Sequence, residues 1–232
     1  TLFFVSSKSG TTIEANCLFA YFHDLVRAAK GERAGENFVA ITDAGTPLQA
    51  VATEQHFRQT FVNPGDIGGR YSALSYFGLA PAATAGIDVE RLIERGVDEQ
   101  ERCRRPESDA LLLGSALGEL ALAGRDKCTF LISPAIATFG LWAEQLIAES
   151  TGKEGKGILP VAGEPIIDAS RYGDDRFFVQ LRFAGDDNAT LDVHAAAVEA
   201  AGHPMIRIEL TDAYDLGREF FRWEFAVAIA GK

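Results

Sequence analysis

Short apolar runs alternate with longer helical stretches along most of this chain, and that order constrains the fold more than any other feature. Residues 2–5 (Leu-Phe-Phe-Val), 38–42, 59–62, 128–132, 158–161, 177–183 and 205–210 read as strands. Between and after them lie helical patterns, among them one that runs to about Lys30 and stops at Gly31, and others over 111–122, 191–201 and 216–230. Strand-then-helix alternation implies parallel sheets covered by helices on both faces, an α/β fold of the three-layer α/β/α sandwich type. In such folds ligands sit beyond the carboxyl ends of the strands. The loops after the first and third strands fall at that end. A charged, mostly helical stretch over 89–107 reads as a connector between two halves, 1–88 and 108–232.

Composition narrows the functional classes. A net charge of −11 argues against broad nucleic-acid or anionic-membrane binding, although basic groups gathered locally still permit an anion site. Cys17, Cys103 and Cys128 show neither paired metal spacing nor a disulfide framework, which points to a reducing compartment. No apolar run reaches the roughly 18 residues that a spanning helix needs. The chain starts at Thr1, without methionine, directly in a strand-like run, so further sequence is expected upstream.

Three stretches offer chemistry. The first is Ser6-Ser7-Lys8-Ser9-Gly10-Thr11-Thr12, where a strand gives way to a helix. Helix starts present free amides and partial positive charge, which suit a phosphate. Ser7, Ser9, Thr11 and Thr12 add hydroxyls and Lys8 a cation. Thr11-Thr12-Ile13-Glu14 also has the spacing of a capping box. The second is Gly68-Gly69-Arg70-Tyr71-Ser72: paired glycines let backbone approach a ligand, and an arginine stabilises an oxyanion that forms on it. The third spans 144–153, where Gln145 and Glu149 share one helical face at its C-terminal end. A glutamate there, among apolar residues, is placed to act as a general base. Taken singly, each stretch is also what an ordinary capped helix, flexible turn or exposed glutamate looks like. His23, His56, His194 and His203 are scattered, with no pairing that points to a metal, and read as structural or exposed. Arg102, Arg104 and Arg105 stand among acidic residues as a solvated face, and Trp142 and Trp223 read as core anchors.

In order and spacing the three stretches resemble phosphoglucose isomerase. The likeness runs from Ser6 to Lys153 and includes Thr42-Asp43-Ala44-Gly45, similar to a Thr-Asp-Pro-Gly turn of that family with Ala44 in place of proline. The second half, with Gly155-Lys156-Gly157-Ile158-Leu159-Pro160, looks closest to the isomerase part of bifunctional transaldolase/phosphoglucose isomerase proteins. The resemblance implies two sugar-isomerase (SIS) subdomains, both incomplete, in a cytoplasmic enzyme of glycolysis and gluconeogenesis that interconverts glucose 6-phosphate and fructose 6-phosphate. It implies that Ser7, Lys8, Ser9 and Thr12 hold the sugar phosphate, with the Gly69 backbone and Gln145 also contacting substrate. It further implies Glu149 as the base between C2 and C1, Arg70 as the enediolate stabiliser, no metal or organic cofactor, and a homodimer. Three family features have no counterpart: a glycine-serine loop expected upstream of residues 6–12, a C-terminal catalytic lysine, and a ring-opening histidine expected near Arg176. A sugar-phosphate-binding regulatory module of the same fold is the alternative. An aminosugar-phosphate isomerase shares the fold, but the Gly-Gly-Arg and Glu-Ser-Thr-Gly-Lys stretches speak against it.

Overall fold

The computed structural model describes all 232 residues, Thr1–Lys232. They form two compact units, Thr1–Val89 and Glu90–Lys232.

In the first unit the chain runs β1 (Phe3–Ser6), α1 (Ile13–Lys30), β2 (Phe38–Asp43), α2 (Pro47–Glu54), β3 (Gln59–Asn63) and α3 (Tyr76–Thr84). The strands form a parallel sheet in the order β1-β2-β3, with Val5 opposite Ala40 and Ile41 opposite Phe61. Central β2 is buried on consecutive residues from Phe38 to Ile41, the mark of a strand covered on both faces. On one face Val5, Phe38 and Ala40 meet Leu48 and Ala52 of α2, with Phe19, Phe22 and Val26 of α1 packed against them. α1 itself has no fully buried residue, and its outer side exposes Ile13, Leu18, Tyr21 and Leu25. Helix α2 escaped the sequence reading, which passed from the turn at 43–47 to the third strand. Its signal was Thr46-Pro47: Thr46 caps the helix by accepting from the Gln49 amide (3.3 Å), and Pro47 occupies the first turn, where a missing N–H costs nothing.

The second unit contains α4 (Val89–Cys103, all but its first residue), α5 (Asp109–Leu122), β4 (Lys127–Ile132), α6 (Phe139–Thr151), β5 (Leu159–Val161), β6 (Arg176–Phe183), α7 (Ala189–Ala200), β7 (Met205–Leu210) and α8 (Leu216–Ala230). Its sheet is parallel in the order β5-β4-β6-β7. On one face α8 packs along α5 so closely that a Cβ at Gly114 would lie 2.5 Å from the Ala226 carbonyl. Trp223 is fully buried there, its ring 5.3 Å from that of Phe130, whereas Trp142 is only half-buried and meets Phe220 edge-on at 4.8 Å. Against the other face, Leu131 and Phe178 pack on Ala195 and Val198 of α7 and on Tyr172.

The stretch read as a connector is an integral helix of this second unit. Glu99 of α4 is 1% exposed and accepts from the Arg222 guanidinium of α8 at 2.9 Å. A Cβ at Gly217 would lie 2.0 Å from the Leu92 carbonyl, so α4 and α8 touch backbone to backbone. Arg102, Arg104 and Arg105 lie on the exposed side, as expected.

Candidate functional site

The loop between β1 and α1 is built from the end of a strand. The Ser7 amide still donates to the Ile41 carbonyl (3.0 Å), which holds Ser7 at the carboxyl edge of the sheet, 4% exposed. From there the Ser7 hydroxyl lies 2.8 Å from that of Thr12 and accepts from the Gly10 amide at 3.1 Å. The Ser9 hydroxyl makes a similar 2.8 Å pair with Thr11. Gly10 is required twice over. Its φ is +68°, and a Cβ would stand 2.8 Å from the Leu48 amide nitrogen.

The expected capping box does not form. Thr12 is the residue that precedes α1, yet its side chain makes no capping bond, and its hydroxyl is turned to that of Ser7 instead. The first amides of α1 therefore keep their positive end without a side-chain cap, beside three exposed hydroxyl residues, Ser9, Thr11 and Thr12. Anions are favoured at such an end by the unpaired N–H groups and the helix dipole together.

Lys8 crosses from this loop to its neighbours. Its ammonium pairs with the Asp43 carboxylate at the end of β2 and donates to the Gly65 carbonyl (3.1 Å) in the loop after β3. The backbone is tied at the same place: the Asp43 amide donates to the Lys8 carbonyl (3.2 Å), and the buried Thr42 hydroxyl donates to the Ser7 carbonyl at 2.7 Å. The chain beyond Gly65 leads to Gly68 and a single 3-10 turn at Gly69–Tyr71. The Gly69 position opens on empty space, and the Arg70 guanidinium lies 5.5 Å from the centre of the Tyr71 ring. Within the first unit, Ser7, Lys8, Ser9 and Thr12 thus share one loop, and Lys8 links it to the segment that carries Gly69 and Arg70.

In the second unit Gln145 and Glu149 lie on the last turns of α6, and the Gln145 amide donates to the Glu149 carboxylate at 3.1 Å. Both side chains are exposed, so Glu149 is not set among apolar groups as its sequence neighbours implied. The helix end is fixed below it. The Thr151 hydroxyl donates to the Ile147 carbonyl (2.8 Å) and accepts from the Ile158 amide (3.0 Å), and the Gly152 amide closes on Ala148 at 2.9 Å. Glu144, one residue before Gln145, accepts from the Ala162 amide at 3.1 Å.

Where a ring-opening histidine was sought, Arg176 makes a two-point ion pair with Glu164 at 2.7 and 3.1 Å. His194 and His203 are buried beside Tyr172 on the α7 side, and His194 lies 3.3 Å from the Tyr172 hydroxyl. Burial, slightly offset by Glu164, holds the His194 imidazole below its ordinary pKa and so in its neutral form. Both histidines are core residues.

No protein-family model matches the chain. Among curated proteins it is 34% identical over 174 residues to a glucose-6-phosphate isomerase of Clostridium novyi (strain NT), which is 73% of this chain and 39% of that relative. A second, from Clostridioides difficile (strain 630), is 36% identical over 68% of this chain and 36% of its own length. The chain therefore spans well under half the length of the curated relatives it matches. Among solved structures, a hypothetical protein of Thermus thermophilus superimposes on the whole chain with a TM-score of 0.88 at 24% identity, using 66% of its own length. A glucose-6-phosphate isomerase of Chlamydia trachomatis gives 0.78 at 21%, using 54% of its length. A glucosamine-6-phosphate deaminase of Thermotoga maritima gives 0.56 at 15%, over 98% of this chain and 67% of its own. These structures share the α/β fold.

Proposed function

Because this chain is homologous to the glucose-6-phosphate isomerases over about 70% of its length, we propose that it carries site residues of an aldose–ketose isomerase acting on glucose 6-phosphate and fructose 6-phosphate. The observation that carries the reading is the loop at residues 6–12, where hydroxyls, a lysine and an uncapped helix start converge. In this reading Ser7, Ser9 and Thr12 hold the sugar phosphate, with Lys8 supplying the charge. Glu149 moves a proton between C2 and C1 of the opened sugar, and Arg70 stabilises the negative charge that develops on the enediolate. Gln145, bonded to Glu149, orients substrate and carboxylate together, and the Gly69 backbone approaches the sugar. Ring opening has no assigned residue. The parent protein, in this reading, works as a homodimer.

The test is formation of fructose 6-phosphate from glucose 6-phosphate by this chain and by one extended at both ends to the length of the relatives, each with and without Glu149→Gln. Turnover by the extended protein that Glu149→Gln abolishes supports the reading. Sugar-phosphate binding without turnover in the extended protein replaces it with a regulatory module.

A further inference from the structure

The turn Thr42-Asp43-Ala44-Gly45 has so far no role, and its contacts point to one. Asp43 ends β2, and one of its carboxylate oxygens pairs with Lys8 while the other, Oδ1, is buried with no hydrogen-bond partner. Opposite it in register, at the end of β3, Asn63 is 3% exposed and its Oδ1 is likewise buried without a partner. Two buried acceptor oxygens without donors thus stand side by side at the carboxyl ends of β2 and β3, and the Asp43 carboxylate adds a negative charge there. Lys8 supplies the compensating charge, and it is held on the Asp43 carboxylate and the Gly65 carbonyl (3.1 Å). A half-buried carboxylate next to a lysine cancels most of the field that the lysine would exert on an incoming phosphate.

We propose that Asp43 is a positioning residue that sets the anion affinity of the loop by holding Lys8: a bound phosphate competes with the Asp43 carboxylate for the Lys8 ammonium. The proposal rests on reading residues 6–12 as a phosphate loop. Its consequence is a fixed ranking by local charge. With Lys8 and Asp43 both present the pair is neutral. Removing the carboxylate leaves +1, removing the ammonium leaves −1, and removing both returns to neutral.

The experiment is titration of inorganic phosphate into this chain by calorimetry at several ionic strengths, for wild type, Asp43→Asn, Lys8→Met and the double variant, with folding checked by circular dichroism. Asp43→Asn is expected to bind phosphate roughly three- to tenfold more tightly than wild type, with a steeper salt dependence. Lys8→Met binds more weakly by a similar factor, and adding Asp43→Asn to it restores affinity near wild type, an additive cancellation of charge that a merely structural role, in which loss of Asp43 can only weaken binding, does not produce. Should Asp43→Asn bind more weakly, or the double variant be weaker than Lys8→Met, Asp43 is structural and the proposal falls while the phosphate loop stands. If Asp43→Asn does not fold, Asp43→Glu takes its place. It keeps the charge, so wild-type affinity and salt slope are expected, and altered affinity at an unchanged salt slope overturns the idea. Phosphate binding by none of the folded proteins at millimolar concentration overturns both the proposal and the reading beneath it.

Discussion

The hydroxyl of Ser7 lies 2.8 Å from that of Thr12, five residues on, and this pairing takes Thr12 away from the helix it precedes. Replacing an N-cap threonine by alanine ordinarily costs about 1 kcal/mol. Thr12→Ala gives up no cap, but it takes a bond from the buried Ser7 hydroxyl and is expected to lower the melting temperature by about 2–4 °C. On the proposed reading of residues 6–12, the same change removes a hydroxyl from the anion site and should weaken phosphate binding. Melting curves and a phosphate titration on one sample check both halves.

Gly10 bears a conformational and a steric demand at the same position, with φ +68° and the Leu48 amide 2.8 Å from where a Cβ would sit. Gly10→Ala should destabilise the protein by roughly 1–3 kcal/mol, and should disturb the Ser7–Thr12 pairing with it. Urea denaturation gives the first quantity. An alanine variant as stable as wild type contradicts the geometry.

In the extended protein, Glu149→Gln should lower kcat by at least roughly a hundredfold with little change in KM, as befits loss of a proton-transfer group. Gln145→Ala should cost much less and act on both constants. Steady-state kinetics with each sugar phosphate separates the two. A Glu149→Gln variant that keeps most of its kcat removes Glu149 from the role of base.

Stability should fall as pH rises through the neutral range. Burial pushes the Glu219 carboxyl up to about 7, with Arg222 opposing and Glu99 adding to the effect, and burial pushes Glu224 up to about 8. A carboxyl whose folded pKa lies above the unfolded value near 4.5 binds more protons when folded. Its contribution is thus complete below about pH 4.5 and lost by about pH 7 for Glu219, a change of about 3 kcal/mol. Denaturant midpoints at pH 5 and pH 7.5 measure it, and Glu219→Gln should narrow the difference.

Strand positions and parallel pairing were legible because buried parallel strands leave continuous apolar runs, such as Phe38 to Ile41 and Phe177 to Val179. The loop at residues 6–12 was legible as a set of residue types. The use each side chain makes of its neighbours was not. Nothing local distinguishes Thr12 bonded to Ser7 from Thr12 bonded to its own helix, since the choice follows from how Thr42 and Asp43 tie the loop to β2. The apolar neighbours of Glu149 in sequence misled for a related reason: Leu146 and Ile147 point into the core while Glu149, on the same helix, points out. Likewise the charges of α4 hid one glutamate, Glu99, whose partner Arg222 lies 123 residues away.

Helix α1, which starts at the loop of residues 6–12, has no fully buried residue and is anchored by partly buried aromatics. Segments of that kind open on their own, well below the free energy of global unfolding. On the proposed reading of the anion site, an anion on the first amides of α1 is expected to slow hydrogen exchange along the helix. Slowed exchange in Ile13–Lys30 on addition of phosphate then gauges occupancy of that site.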